Sequence, residues 1–145
     1  MPTAVLHPFQ LHGLPAEPFA PLFELSDAEL AQRQIRRVRA TEKPGYPCRV
    51  SLEDAEAGEE LLLLPHAHQT ADTPYQASGP IFVRRGARQA QLALNELPDY
   101  VRLRLLSVRA YDAAHDIVEA EVCEGRELAA LIARFFQDER VQYLH

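Results

Sequence analysis

The chain has 145 residues, of which 47% are hydrophobic and 25% are charged, and its formal net charge is −6. This length and this balance predict a folded protein with a substantial core, and they exclude a largely disordered chain. The acidic charge argues against non-specific binding to nucleic acids or to anionic membranes, because both interactions need a basic surface.

The sequence shows no signal for export or for a membrane. No apolar run reaches the roughly 18 residues of a membrane-spanning helix, and the N-terminus lacks the charged and apolar regions of a signal peptide. We therefore expect a soluble, cytoplasmic protein whose two cysteines, Cys48 and Cys123, are reduced thiols. Their spacing is not that of zinc ligands, and the sequence indicates no cofactor.

The first third of the chain contains one clear helix signal. Loose alternation predicts a strand over residues 3–11, and a proline-rich connection follows it. Ser26 and Glu29 have the spacing of a capping box, which predicts a helix over residues 27–37. A basic cluster is interpreted as a solvated helix end, with a specific anion site as the alternative: Arg33, Arg36, Arg37 and Arg39.

A rigid bend follows at residues 44–47. Each of its two prolines fixes φ near −65° and disfavours helical geometry at the preceding residue. Strands are predicted over residues 48–52, 60–65 and 80–84. Residues 65–79 are predicted to form a long irregular loop, and loops of this length are often functional.

The second half of the chain shows hairpin and helix patterns. Apolar residues at helical spacing predict a helix over residues 88–97. Alternation on both sides of a turn predicts a hairpin of strands 105–111 and 117–123. A continuous apolar stripe predicts a core-facing helix over residues 126–137, and residues 141–145 are predicted to be a last strand.

This order of elements predicts an α+β fold in a single domain over residues 1–145, with a mostly antiparallel β-sheet and two to three helices packed on one face. The last strand, residues 141–145, would lie at a sheet edge. Because unpaired backbone groups at an edge can pair with a second copy, a homodimer is one expected partner state.

Cys48 is a candidate nucleophile, because it directly follows the rigid bend and has Arg49 beside it. A nearby cation would raise the thiolate fraction, and His68 or His145 would act as the base. The alternative is a structural thiol, since free cysteines are among the most buried residues. In a strand, Cys48 and Arg49 also point to opposite faces.

His66 and His68 are candidate metal ligands. Extended backbone places both imidazoles on one side of the chain, as a shared metal ion requires. Asp72, Cys48 or His145 would complete the site, but the sequence selects none of them. The alternative is a pair of loop histidines in solvent, so the sequence predicts no metal site from this pair alone.

Residues of the predicted loop and of the strand after it suggest a pocket for a small polar or anionic ligand. Tyr75 and Ser78 offer hydroxyl groups, and Gly79 leaves the backbone accessible. Arg84 follows closely and Arg49 lies beside the bend, and the planar guanidinium suits carboxylates and phosphates. The alternative is that Tyr75 serves packing and that residues 78–80 form a simple turn.

Three stretches together resemble the bacterial domain-of-unknown-function family 1203: Pro44–Ala55, Pro74–Arg84 and Arg109–Asp112. The resemblance covers nearly the whole chain. It implies a small, soluble, single-domain bacterial protein, and it brings no activity, cofactor or catalytic residue with it. The sequence departs from the family in one respect, because members of the family continue past the position of His145 with a histidine-containing extension and a Gly-Cys element. Candidates inside these stretches are preferred as site residues: Cys48, Arg49, Tyr75, Ser78 and Arg84.

Overall fold

The computed structural model describes residues 7–145, which form two compact units. Residues 12–67 and 78–92 make up one, here called the five-stranded unit. Residues 68–77 and 93–145, with the described part of the N-terminal segment, make up the other, here called the three-stranded unit. The single domain expected from chain length stays a prediction.

The larger sheet has five strands: β1 (Arg36–Arg39), β2 (Pro47–Cys48), β3 (Glu53–Asp54), β4 (Glu60–Gln69) and β5 (Ala77–Arg84). Their order in the sheet is β1-β4-β5-β2-β3. The β1–β4 and β2–β3 pairs are antiparallel, and the β2–β5 pair is parallel.

The smaller sheet has the order β7-β6-β8 and is antiparallel throughout. Its strands are β6 (Leu105–Tyr111), β7 (Ile117–Glu124) and β8 (Tyr143–Leu144). The helices of the fold are α1 (Asp27–Gln32), α2 (Asp99–Arg102) and α3 (Leu128–Phe135). Two mostly antiparallel sheets with three helices confirm the predicted α+β class, although the strands are divided between two sheets.

The start of α1 confirms the capping box. The Ser26 hydroxyl accepts a hydrogen bond from the Glu29 amide at 3.1 Å, and the Glu29 carboxylate accepts one from the Ser26 amide at 2.9 Å. The predicted end at residue 37 is wrong, because Gln34 takes a positive φ of 62° and stops the helix. Residues 36–39 then pair with β4 instead.

Three other sequence predictions also need correction. The helix over 88–97 is absent, since this stretch is irregular and the Ala90 amide donates to the Val50 carbonyl instead. The strand over 48–52 ends at Cys48, because Leu52 takes a φ of 54° and turns the chain into β3. The long loop shrinks to residues 70–76, since β4 and β5 extend into it.

The predictions of the hairpin, the last helix and the last strand agree with the structure. The hairpin of β6 and β7 and the core-facing helix α3 are confirmed, and the last strand is present but short. Residues 3–6 of the first predicted strand lie outside the described residues, and residues 7–11 contain no strand. Within residues 7–145, no helix has the length and apolar character needed to cross a membrane.

The core of the five-stranded unit packs apolar side chains of the first connection and of α1 against the sheet. Ten of its buried residues form one hydrophobic cluster: Phe19, Phe23, Leu30, Ile35, Cys48, Val50, Leu62, Leu64, Ile81 and Val83. Both cysteines of the chain are buried and free, Cys48 here and Cys123 on β7. The reduced state of these thiols stays a prediction.

Candidate ligand site

A groove with a volume of about 310 Å³ lies on the five-stranded unit. Its polar lining consists of Gln34, Arg36 and Ser78, with the backbone of Gly79 beside them. Its apolar lining consists of Leu63, Leu64, Pro65 and Pro80. This volume is at the lower end of the range found for small-molecule sites, which suits a compact ligand.

Three elements position the polar groups of this groove. Gln34 lies at the turn where α1 ends, held by an amide hydrogen bond from Gln34 to the Ala31 carbonyl at 3.0 Å. Arg36 begins β1 and pairs with Leu63 of β4. Ser78 lies near the start of β5, the neighbour of β4. The β1-β4-β5 order therefore brings residues distant in sequence to one surface.

Arg36 is the positively charged residue of the groove, and no group of the described residues pairs with its guanidinium. Within residues 7–145, its side chain makes no hydrogen bond and no ion pair, and it is exposed. The side chains of Gln34 and Ser78 are likewise exposed and without a hydrogen bond in the described chain. The groove therefore offers a guanidinium fork, an amide and a hydroxyl to a ligand.

The neighbouring Arg37, in contrast, forms ion pairs and hydrogen bonds within the five-stranded unit. Its guanidinium contacts Asp27 at 3.0 Å and Glu60 at 2.5 Å, and it donates to the Leu25 carbonyl at 2.8 Å. Arg85 also pairs with Glu60, at 3.1 Å. Hydrogen bonds from these two guanidiniums, that from Arg37 above all, lower the pKa of the Glu60 carboxyl.

Arg84, a predicted ligand residue, contacts three side chains of the five-stranded unit. Its guanidinium contacts Ser51 at 3.3 Å, Glu59 at 3.2 Å and Glu53 at 3.5 Å. A backbone hydrogen bond from Glu56 is the main cause that lowers the pKa of the Glu59 carboxyl, and Arg84 adds to it. With three partners already in place, Arg84 has few donors left for a ligand.

Cys48 and Arg49 are adjacent in the chain but differ in exposure. Cys48 is completely buried, and its sulfur accepts a hydrogen bond from the Arg84 amide at 3.4 Å. Arg49 is exposed, and its amide donates to the Phe82 carbonyl at 2.9 Å. Because the thiolate must meet a substrate to act as a nucleophile, this burial favours the structural interpretation of Cys48.

The remaining candidates are divided between the two units. Tyr75 is 40% exposed and belongs to the three-stranded unit, where its amide donates to the Thr73 hydroxyl. His66 belongs to the five-stranded unit, and its ring centroid is 6.2 Å from that of Phe19. Within residues 7–145, no three or more histidine, cysteine, aspartate or glutamate side chains are grouped to hold a metal ion.

His68 belongs instead to a group that we call the histidine–tyrosine cluster: His68, Tyr111, His115, Tyr143 and His145. The His68 and His145 ring centroids are 6.2 Å apart, and Tyr111 stacks on Tyr143 at 5.0 Å. Partial burial, followed by the charges of His68 and Arg109, lowers the pKa of the His145 imidazole. The β6–β7 hairpin, the segment around β8 and the end of β4 contribute the residues of this cluster.

The sequence could have indicated Arg36, but its signal was weak. Arg36 lies in the basic cluster, where an anion site was the alternative interpretation. Residues 36–39 read as a short strand would have placed Arg36 and Arg37 on opposite faces. Only the fold, which brings Asp27 and Glu60 to Arg37, distinguishes its paired guanidinium from the unpaired one of Arg36.

Comparison with known proteins gives one match. A family model described as a protein of unknown function, DUF1203, matches residues 45–145. No curated protein and no solved structure matches the chain. The matched segment includes β2 to β8 and leaves out α1 and β1. Because the match covers more than half of the residues, the chain belongs to the DUF1203 family of proteins of unknown function.

Proposed function

We propose that this protein binds a small anionic ligand, a carboxylate or a phosphate, in the groove lined by Gln34, Arg36 and Ser78. The observation that carries the proposal is the uncommitted guanidinium of Arg36. Arg37 beside it and Arg84 on β5 are both engaged by carboxylates of the chain. An arginine held at a groove without such a partner has its planar donors available for an oxyanion.

The other groups of the groove suit the same ligand. The Ser78 hydroxyl and the Gln34 amide can both donate to oxygen atoms. Gln34 is a non-glycine residue at a φ of 62°, a backbone conformation that is unfavourable for its type and recurs at binding sites. Leu63 and Pro80 offer an apolar surface for the body of a ligand.

The test is calorimetric titration of the full chain with sodium acetate and with sodium phosphate, at low and constant ionic strength. We expect Arg36→Ala to weaken binding of whichever anion binds by about 10- to 100-fold, the usual contribution of a hydrogen bond to a charged group. Arg36→Lys should recover part of the affinity, because it keeps the charge and loses the fork.

Arg33→Ala is the matched control. Arg33 is exposed, lies three residues earlier, and does not line the groove. Arg33→Ala removes the same charge from the molecule but leaves the groove intact. Its affinity for the anion should therefore stay within about twofold of that of the unchanged protein. Equal losses in Arg33→Ala and Arg36→Ala would show a general charge effect and contradict the proposal.

A thiol-dependent enzyme is the other functional class, and we do not propose it. Complete burial of Cys48 would require the strands around it to open before a substrate could reach the sulfur. The two free cysteines do support a proposed reducing, cytoplasmic location.

A further inference from the structure

The groove at Arg36 combines one charged group with a largely apolar surface. Of the eight described residues that line it, Arg36 is the one with a charged side chain. Half of the eight are apolar: Leu63, Leu64, Pro65 and Pro80. The number of charges and the apolar surface together select among the anions that the proposed function allows.

Strand alternation places apolar side chains beside Arg36 on one face of the sheet. Leu62 and Leu64 belong to the buried core cluster, so Leu63 between them points to the opposite face. Arg36 on β1 pairs directly with Leu63 on β4, and directly paired residues share a face. On β5, Pro80 directly precedes a core residue and so also points away from the core.

The polypeptide covers the neighbouring part of this face. Leu61, two residues before Leu63 on β4, is completely buried, and Tyr46 and Phe82 pack against its cluster. The ring centroids of Tyr46 and Phe82 are 5.5 Å apart. At the groove, in contrast, the described chain leaves Leu63 half-buried and Pro80 exposed. Because removing apolar surface from water is favourable, the apolar part of a ligand would complete the cover here.

The charged end of the groove suits one negative charge better than two. A phosphate group carries about 1.5 to 2 negative charges at pH 7, and the amides at the start of a helix commonly bind it. Gln34 instead follows the end of α1, where a helix carries partial negative charge, and its amide donates to the Ala31 carbonyl at 3.0 Å. Pro65 and Pro80 have no N–H to donate. One guanidinium therefore matches a single carboxylate.

We propose that the groove takes a monocarboxylate with an apolar body, in preference to a phosphate. The carboxylate oxygens accept hydrogen bonds from the Arg36 guanidinium, and the body lies against Leu63 and Pro80. This inference rests on the proposed function, because it needs an anion to bind at Arg36. It adds the chemical class of that anion.

The experiment is an NMR titration of the labelled full chain with sodium acetate, hexanoate and phosphate, at pH 7 and constant ionic strength. A methylene that leaves water completely contributes about fourfold in affinity, and a groove open to solvent buries part of each one. Hexanoate has four more methylenes than acetate, so we expect it to bind at least about tenfold more tightly. Hexylammonium, with a similar body and the opposite charge, should leave the resonances of residues 34–36 and 63–65 in place.

Two substitutions test the body and the charge of the ligand separately. Leu63→Thr removes apolar surface and keeps a side chain that suits a strand, so it should weaken hexanoate binding by at least about threefold and leave acetate within about twofold. Arg36→Ala should weaken both carboxylates by the same factor, because the charge and the body contact different residues. Leu94→Thr is the control and should change neither affinity, since Leu94 is 65% exposed and does not line the groove.

Circular dichroism establishes that each variant is folded. If Leu63→Thr unfolds, Pro65→Ala takes its place, because Pro65 is exposed and lines the same groove. Acetate that shifts the Arg36 guanidinium while hexanoate binds no more tightly would overturn the monocarboxylate class and leave the anion site in place. Phosphate that binds there more tightly than hexanoate would do the same. Absence of any anion-dependent shift at Arg36 would instead overturn the anion site itself, and this inference with it.

Discussion

Four arginine side chains around the larger sheet differ in their partners. Arg37, Arg84 and Arg85 each contact at least one glutamate, and these contacts connect the segments around the larger sheet. Arg36 makes no such contact within the described residues. The sequence alone could not separate them, because each committed arginine finds its glutamate more than 20 residues away in the chain.

Glu60 gives a pH prediction. Its side chain is 19% exposed and accepts from Arg37 and Arg85, which lowers its pKa in the folded protein below the ordinary 4.5. A lowered folded pKa adds stability that is complete above the unfolded pKa and is lost as pH falls through the folded pKa. We therefore expect Glu60→Gln to lower the free energy of unfolding by about 1–2 kcal/mol at pH 7.

Urea unfolding at pH values from 7 down to 3 is the measurement. The difference between the unchanged protein and Glu60→Gln should shrink as pH falls below about 4.5 and through the lowered pKa of the folded protein, below which the carboxyl is protonated in both states. Glu42→Gln is the control, because Glu42 is exposed and has no ion pair within residues 7–145. A stability difference for Glu60→Gln that is the same at every pH would contradict this account.

At the scale of elements, local signals were read correctly and non-local ones were not. Ser26 and Glu29 are three residues apart, so the sequence alone predicted the start of α1. The end of that helix depends on β1 pairing with β4, more than 20 residues later. The predicted helix over 88–97 failed for the same reason, because its backbone bonds to the distant Val50 carbonyl. Tertiary contacts override propensity in both cases.

Close backbone approach at Gly125 gives a prediction for α2 and the turn before α3. A methyl group at Gly125 would overlap the Val101 carbonyl oxygen and would lie 2.9 Å from the Arg104 carbonyl oxygen. Backbone cannot move aside as a flexible side chain can, so we expect Gly125→Ala to lower the free energy of unfolding by about 3 kcal/mol or more.

Gly79→Ala is the matched control for chemical unfolding of Gly125→Ala. No atom lies within 4 Å of a methyl group built at Gly79, and its φ lies outside the left-handed region. Its stability should stay within about 0.5 kcal/mol of the unchanged protein. Equal stability of Gly125→Ala and the unchanged protein would show that the Val101 and Arg104 carbonyl groups move aside readily, and it would contradict this prediction.

At the scale of the whole molecule, each unit offers its own set of uncommitted groups. The five-stranded unit presents Arg36 and Ser78 at its groove, and the three-stranded unit places the buried Tyr111 ring 5.1 Å from the His145 ring. The sequence offered Ser78 as a candidate ligand residue and His68 as a weak candidate metal ligand, and both roles stay predictions. Strand order within each sheet determines these neighbours, and one sequence does not reveal strand order.

The central claim is that the groove at Arg36 is the anion site of this protein, and one titration tests it directly. Labelled protein would be titrated with sodium acetate and with sodium phosphate while backbone amide and arginine side-chain resonances are followed by NMR. The account predicts saturable shifts of the Arg36 guanidinium and of amides in residues 34–36, 63–65 and 78–79, with the Arg33 guanidinium unmoved. Saturable shifts centred elsewhere, or shifts that never saturate, would contradict it.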